Sequence, residues 1–110
     1  AGVVQLWTIS PNGGTPKQIT ENAYDFASAF TWSRDGRHIA HAMDGSICVT
    51  QVSSGVTRRL TAPADAAHGP RPEACVFSPQ GTRIAYVCPV TSRGRTWNQI
   101  FVLTLQGIDP

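Results

Sequence analysis

The sequence predicts an all-β protein built from repeated units of four antiparallel strands. Short runs rich in Val, Ile, Thr and aromatic residues are bounded by Gly, Pro, Ser and Asn along the chain, which is the pattern of strands and turns. No stretch has the sustained i, i+3, i+4, i+7 apolar spacing of an amphipathic helix. One phrase also occurs twice: "WSRDGRHIAHA" at residues 32–42 returns as "FSPQGTRIAYV" at residues 77–87.

A second phrase alternates with the first. "QLWTISPNGGTPKQIT" at residues 5–20 and "SICVTQVSSGVTRRLT" at residues 46–61 each combine an apolar strand, a glycine-containing turn and a strand with basic residues. A third copy begins as "QIFVLTL" at residues 99–105. The repeating unit therefore has four strands in about 40–45 residues, which is the period of a β-propeller blade.

The predicted strands amount to about two and a quarter blades, which form an incomplete ring. They divide the chain into the end of one blade (residues 1–27), a complete blade (28–72) and most of a further blade (73–110). The strands of a blade are labelled a to d outward from the ring axis. The first blade contributes c (Val3–Ile9) and d (Pro16–Thr20), and the complete blade contributes a (Ser28–Trp32), b (His38–Met43), c (Ser46–Val52) and d (Val56–Thr61). The further blade contributes a (Glu73–Phe77), b (Arg83–Cys88) and c (Asn98–Leu105).

The two a–b turns, "SRDG" and "SPQG", have a physical basis. Ser33 and Ser78 can accept a backbone N–H at the entrance of the turn, and Pro79 presets φ for its second position. Gly36 and Gly81 can adopt the left-handed conformation that ends such a turn. Strands such as "IFVLTL" are apolar on both faces, which indicates that each blade is covered on both sides.

These phrases resemble the TolB-type (WD40-like) β-propeller repeat. That repeat reads aromatic-Ser-Pro-Asp-Gly-basic-x-Ile-Ala, then an Ile-Tyr-Val type strand, then Asp-Gly-Gly, then a basic residue and Leu-Thr. Arg34 and Gln80 depart from the Pro and Asp of this pattern, and "SSG" replaces one Asp-Gly-Gly. The resemblance covers almost the whole chain, and it implies a propeller from a bacterial protein more firmly than it implies one function.

The length bears on how such a ring is completed. A propeller closes with four to eight blades, and four blades of this period need about 170 residues. The 110 residues would leave apolar faces and strand edges open. We therefore expect further blades, either from a longer chain of which this is a fragment or from homo-oligomerisation, and the requirement for capped ends favours the longer chain.

Composition argues against several classes of partner. The formal net charge is +2, and the basic residues form no continuous stripe, so no nucleic acid is expected as a partner. No apolar run is long enough for membrane insertion. The three cysteines, Cys48, Cys75 and Cys88, lie among apolar residues without a Cys-x-x-Cys pair, and we expect buried free thiols and no metal. Unpaired thiols fit the cytoplasm, whereas resemblance to TolB implies the periplasm, so the compartment stays open.

The longer connections are the predicted functional surface, because binding groups concentrate on loops held by a rigid scaffold. The d–a connections are residues 21–27 and 62–73, and the b–c connection is Pro89–Gln99. The candidate binding residues on them belong to the aromatic, arginine and ionisable types that serve in recognition. They are Tyr24, Asp25, His68, Arg71, Glu73, Arg93, Arg95 and Trp97.

Two functional hypotheses follow. The first is a non-catalytic scaffold for protein–protein interaction that holds a protein or peptide on its long-loop face and needs no cofactor. The alternative is the propeller part of an enzyme, since the resemblance extends to oligogalacturonate lyases and to gating domains of prolyl-oligopeptidase-like peptidases. His38 and His41 point to opposite faces of one strand and cannot share a metal ion. The sequence has no nucleophile elbow, His-Glu-x-x-His or phosphate loop, so no catalytic residue is predicted.

Overall fold

The chain folds into three antiparallel sheets. The computed structural model describes residues 2–25, 30–65, 67–71 and 75–105, and within these ranges it contains nine strands and no helix. The first sheet has two strands, the second four and the third three, each in chain order. The strands are β1 (Trp7–Thr8) and β2 (Lys17–Gln18), then β3 (Phe30–Trp32), β4 (His38–Met43), β5 (Ser46–Gln51) and β6 (Thr57–Arg59), then β7 (Cys75–Phe77), β8 (Arg83–Ser92) and β9 (Arg95–Thr104).

The all-β, antiparallel class is confirmed. The predicted strand His38–Met43 has the bounds of β4, and β1, β2 and β6 are shorter than predicted. The starts of the predicted strands at Ser28 and Glu73 lie outside the described residues. Within the described ranges no helix is long and apolar enough to cross a membrane.

The two equivalent turns follow the chemistry expected of them. The backbone N–H groups of His38 and Arg83 donate to the hydroxyls of Ser33 and Ser78, over 3.0 and 3.1 Å. Gly36 and Gly81 have φ values of 74° and 77°. In the first turn the Ser33 hydroxyl also donates to Asp35 over 2.6 Å, and this bond is the main reason why the pKa of Asp35 lies below its usual value. The Ser and Gly positions of the phrase thus fix two hairpins of the same shape.

The second sheet is covered on both faces. All six residues of β4 are buried, and their alternate side chains enter two different cores. One core joins the second sheet to the first through Leu6 and Ile39, with Ile19 and Val52 packed against them. The other core joins it to the third sheet. It consists of Ala40, Ala42, Ile47, Val49, Phe77 and Ile84, with Leu60, Cys75, Tyr86, Leu103 and Leu105 packed against them.

The second and third sheets have the same register. Ala40 pairs with Val49 in the second sheet, and Ala85, at the equivalent position of the repeated phrase, pairs with Val102 in the third. The last pair of β4 and β5 is Met43 with Ser46, which corresponds to the pair of Cys88 and Gln99. Beyond this point the third sheet continues with additional strand pairs. They are Pro89 with Asn98, Val90 with Trp97, Thr91 with Thr96, and Ser92 with Arg95.

Candidate functional site

The connections at one end of the sheets form the candidate site, which we call the loop end. It comprises the β4–β5 turn, the segment 62–71 and the β8–β9 hairpin at residues 89–98. The segment is fixed to the turn because the Ala64 N–H donates to the Gly45 carbonyl over 3.0 Å. Gly45 has a φ of 73°, and a Cβ added there would lie 1.8 Å from the Ala64 carbonyl oxygen. A glycine is therefore required for the turn and the segment to pack this closely.

Tyr24 is held at the loop end by an arginine. The Arg59 guanidinium donates to the Asp44 carboxylate and over 2.8 Å to the Ser46 hydroxyl. Its Cζ also lies 5.5 Å from the centroid of the Tyr24 ring, a distance suited to a cation–π contact. The bond with Asp44 raises the pKa of Arg59. A half-exposed aromatic ring is thus tied to the β4–β5 turn through one cation.

His68 is paired with Asp65 within the segment. The Asp65 carboxylate accepts from His68 Nδ1 over 2.7 Å and from the backbone N–H groups of Ala67 and His68, each over 3.0 Å. The bond from His68 is the first cause of the lowered pKa of Asp65. Both side chains are well exposed. The pair therefore shapes a surface loop, and its carboxylate is already occupied by three donors.

The same segment is anchored to β8. The Cys88 thiol donates to the His68 carbonyl over 3.0 Å, and the Arg71 N–H donates to the Val87 carbonyl over 2.8 Å. Arg71 Nε lies 3.4 Å from Oδ1 of Asn98. The segment 62–71 therefore connects the turn of the second sheet to the base of the β8–β9 hairpin, and the predicted candidates His68 and Arg71 lie at this junction.

The predicted loop at Pro89–Gln99 is wrong. These residues continue β8 and β9, and the connection between the strands is only the two-residue turn of Arg93 and Gly94, with φ values of 51° and 74°. A two-residue turn in which both residues are left-handed has the same twist as the strands that it joins, so it continues the hairpin without a loop. The four additional pairs carry the hairpin roughly 14 Å past the equivalent β4–β5 turn, at about 3.4 Å for each residue.

Arg95 and Trp97 therefore belong to a strand and share one face of it. Side chains alternate along β9, so this face continues down to Phe101 and Leu103, which lie on the side of the second sheet. Trp97 is 43% exposed, and its indole N–H donates to Gln99 over 3.1 Å. The projecting hairpin thus presents an aromatic and a cationic side chain toward the side that carries the segment 62–71.

The other candidates have different outcomes. Asp25 accepts a hydrogen bond from the Val4 N–H over 2.7 Å and so holds Val4 beside it. Glu73 lies outside the described residues. Asp44 and Arg59 were not predicted as site residues, although Asp-Gly between two apolar runs is a strong hairpin signal. Their contact follows from strand register, because Arg59 pairs with Cys48 and so reaches the turn next to it.

The described residues hold no group of three or more His, Cys, Asp or Glu that could bind a metal ion. Cys48 is buried and the other two thiols are partly buried, so burial of the thiols is confirmed fully only for Cys48. Burial raises the pKa of Cys48 and of Cys75 to about 11. These thiols are protonated at neutral pH, which makes them weak nucleophiles.

The chain was compared with known proteins. No protein-family model matches it. It is 41% identical over 86 residues to "Uncharacterized protein YidR" of Escherichia coli strain K12, and the aligned region covers 78% of this chain and 20% of that protein. The chain therefore spans about one fifth of the length of the curated relative that it matches.

Proposed function

We propose that the three sheets are successive blades of a TolB-type β-propeller. The proposal is supported by the shared register of the second and third sheets and by the cores on both faces of the second. It is also supported by the contact of β3 and β4 with β7, because the first strands of neighbouring blades lie side by side around the axis of a propeller.

The function of this scaffold, in our proposal, is to bind a protein or peptide segment at the loop end without catalysis. The observation that carries the proposal is the projecting β8–β9 hairpin, with Arg95 and Trp97 on the face toward the segment 62–71. An exposed Trp beside Arg is the residue combination that dominates binding energy at interfaces. The strands hold both side chains in fixed directions, which lowers the entropic cost of binding.

The charge of the loop end favours an acidic segment as the partner. Within the described parts of the chain, the acids of this end are engaged: Asp44 binds Arg59, and Asp65 binds His68. No ion pair is found there for Arg93 or Arg95. Among the described residues the hairpin thus carries positive charge without an ion-pair partner, and such charge attracts carboxylates and suppresses binding of basic segments.

Arg93 gives this interpretation a second support. It occupies a left-handed position, φ 51°, where Asn, Asp and Gly are preferred and where a longer side chain costs about 1–2 kcal/mol. The equivalent turn of the second sheet has Asp44 at that position. A strained arginine at an exposed tip points to a use of its side chain outside the fold.

A labelled peptide of about twelve residues, rich in Glu and containing one Tyr, is the first probe. We expect it to bind the chain by fluorescence anisotropy, with an affinity that falls as salt rises. Trp97→Ala should weaken binding at least about fivefold, since buried aromatic anchors exceed 1 kcal/mol. Arg93→Asn should weaken binding about two- to fivefold, in the range of exposed ion pairs, while it raises the stability of the chain.

The control is Arg34→Ala, which removes the same charge from an exposed turn at the opposite end of the second sheet. It should leave peptide binding unchanged. Equal weakening by Arg34→Ala and Arg93→Asn would assign binding to net charge alone and refute the loop end as the site. Loss of stability in Arg93→Asn would refute the assignment of strain to Arg93.

A further inference from the structure

The third sheet has an open face that is apolar. Alternation along β7, β8 and β9 places five apolar side chains on the face directed away from the second sheet. Ile100 is 71% exposed and Val102 is 58% exposed, and the others are exposed or half-buried. The members of this open face are Val76, Ala85, Val87, Ile100 and Val102.

The internal repeat shows what normally covers such a face. The pairs Ala85–Val102 and Val87–Ile100 of the third sheet correspond to Ala40–Val49 and Ala42–Ile47 of the second. In the second sheet these four side chains are at most 5% exposed, because the third sheet packs on them with Phe77, Ile84 and Leu103. The same surface is therefore buried at one position of the repeat and open at the next.

We propose that the open face of the third sheet is covered by a further sheet of the same repeat, which presents side chains equivalent to Phe77, Ile84 and Leu103. Repetition of the contact between the second and third sheets would bury Ile100 and Val102 as deeply as Ile47 and Val49. The outer edge of β9 supports this, since no described strand pairs with it, whereas the same edge of β5 carries β6.

A second copy of this chain is not the occupant that the structure favours. The face formed by Phe77, Ile84 and Leu103 is already covered by the second sheet in each copy. The first sheet offers only Ile9, 56% exposed at the position of Leu103, without described counterparts of Phe77 and Ile84. The covering sheet must therefore have a free face of this kind, and such a sheet belongs to repeat units other than the described ones. In the relative YidR, four fifths of the chain lies outside the aligned region, which leaves room for such units.

The test compares the 110-residue chain with an extended chain in which residues 56–105 are repeated after residue 110. The added segment supplies a fourth strand for the third sheet and a further copy of that sheet. Ile100→Thr and Val102→Thr are introduced together at their original positions, because Thr keeps the β-branched shape while it removes apolar surface. Val56→Thr, at an exposed valine outside the open face, is the matched control.

We expect the double variant to leave urea unfolding of the 110-residue chain nearly unchanged. In the extended chain it should raise the unfolding equilibrium constant about tenfold to a hundredfold, as expected for lost burial of a large aliphatic side chain. Val56→Thr should leave the unfolding equilibrium constant of both chains unchanged. If the double variant has no effect on the extended chain, or weakens both chains equally, the proposal is overturned.

Light scattering on the 110-residue chain tests whether a second copy of the chain covers the open face instead. A discrete dimer that the double variant dissociates would assign the open face to a second copy and overturn the proposal. A monomer, or aggregates that the double variant dissolves, would agree with an open face that awaits another sheet. Binding of the acidic peptide at the loop end is a separate measurement, so failure of either proposal leaves the other standing.

Discussion

Substitution of Gly45 by Ala tests whether the loop end is built by close approach of two backbone segments. The matched control is Gly36→Ala, because Gly36 and Gly45 have nearly the same φ, 74° and 73°. An added Cβ at Gly36 meets nothing within 4 Å, whereas at Gly45 it would lie 1.8 Å from the Ala64 carbonyl oxygen. The two variants therefore share the conformational cost and differ in the steric one.

The magnitudes separate these costs. An Ala at a left-handed position costs about 1–2 kcal/mol, of which reduced entropy of the unfolded chain offsets about 0.4–1 kcal/mol. Gly36→Ala should therefore lower the free energy of unfolding by about 1 kcal/mol. Gly45→Ala must also displace the segment 62–71 and lose the hydrogen bond from Ala64, which adds about 0.5–1.5 kcal/mol for the bond alone. We expect a total of about 2–4 kcal/mol.

Urea unfolding followed by circular dichroism measures both free energies. A local readout accompanies it, since the displaced segment would remove the His68 carbonyl from the Cys88 thiol. Cys88 should then react faster with a thiol reagent in Gly45→Ala and at the normal rate in Gly36→Ala. Equal destabilisation by the two substitutions, with unchanged Cys88 reactivity, would refute close approach as the reason for Gly45.

Two further predictions concern buried ionisable groups. Burial lowers the pKa of His41 from 6.5 to about 4, so between these pH values the unfolded state binds a proton that the folded state does not. The free energy of unfolding should therefore fall by roughly 3 kcal/mol as the pH drops from 6.5 to 4. A His41→Gln variant should lack this fall, and an equal fall in both proteins would contradict the assignment to His41. Cys48 and Cys75 have pKa values of about 11, and Cys88 is the least buried of the three cysteines. In the native protein a thiol reagent should therefore modify Cys88 first and Cys48 last, which peptide mapping by mass spectrometry would show. Rapid modification of all three would contradict burial of the thiols.

The strands could be predicted because their turns carry strong local signals. The Ser and Gly positions of "SRDG" and "SPQG" give the hairpins β3–β4 and β7–β8 directly, and the repeat then fixes the remaining order. Coverage of both faces was expected from strands such as "IFVLTL"; among the described strands it holds for β4, whereas Ile100 and Val102 of β9 are exposed. These features depend on residues close in sequence, which is where pattern analysis is strongest.

The projecting hairpin could not be predicted in the same way. Residues 91–100 are exposed on both faces, so no apolar alternation distinguishes them from a loop. Pro89 argued against a strand, and Arg93–Gly94 lacks the Asn or Asp that identifies this turn type. The contact of Arg59 with Asp44 and Tyr24 was missed for another reason, because it joins residues that only strand register brings together.

The hairpin lengthens the third sheet without disturbing the repeat, and this explains how one unit can serve both packing and binding. The same number of residues, four, is added to each strand, so Ile100 and Val102 keep the pairing and the face of Ile47 and Val49, and the even number lets a two-residue turn close on the same type of strand pair. Deletion of residues 89–92 and 95–98 should therefore join Cys88 and Gln99 through Arg93–Gly94, as Met43 and Ser46 are joined through Asp44–Gly45.

The shortened chain should unfold at nearly the same urea concentration as the full chain, because the deleted residues are mostly exposed. It should also lose binding of the acidic peptide, since Arg95 and Trp97 are removed. Deletion of only three residues from each strand is the control, because the two-residue turn would then have to close on the other type of strand pair, which does not fit its geometry and should destabilise the hairpin. Retained peptide binding in the eight-residue deletion would show that the hairpin is not the binding element, whatever the stability of the chain.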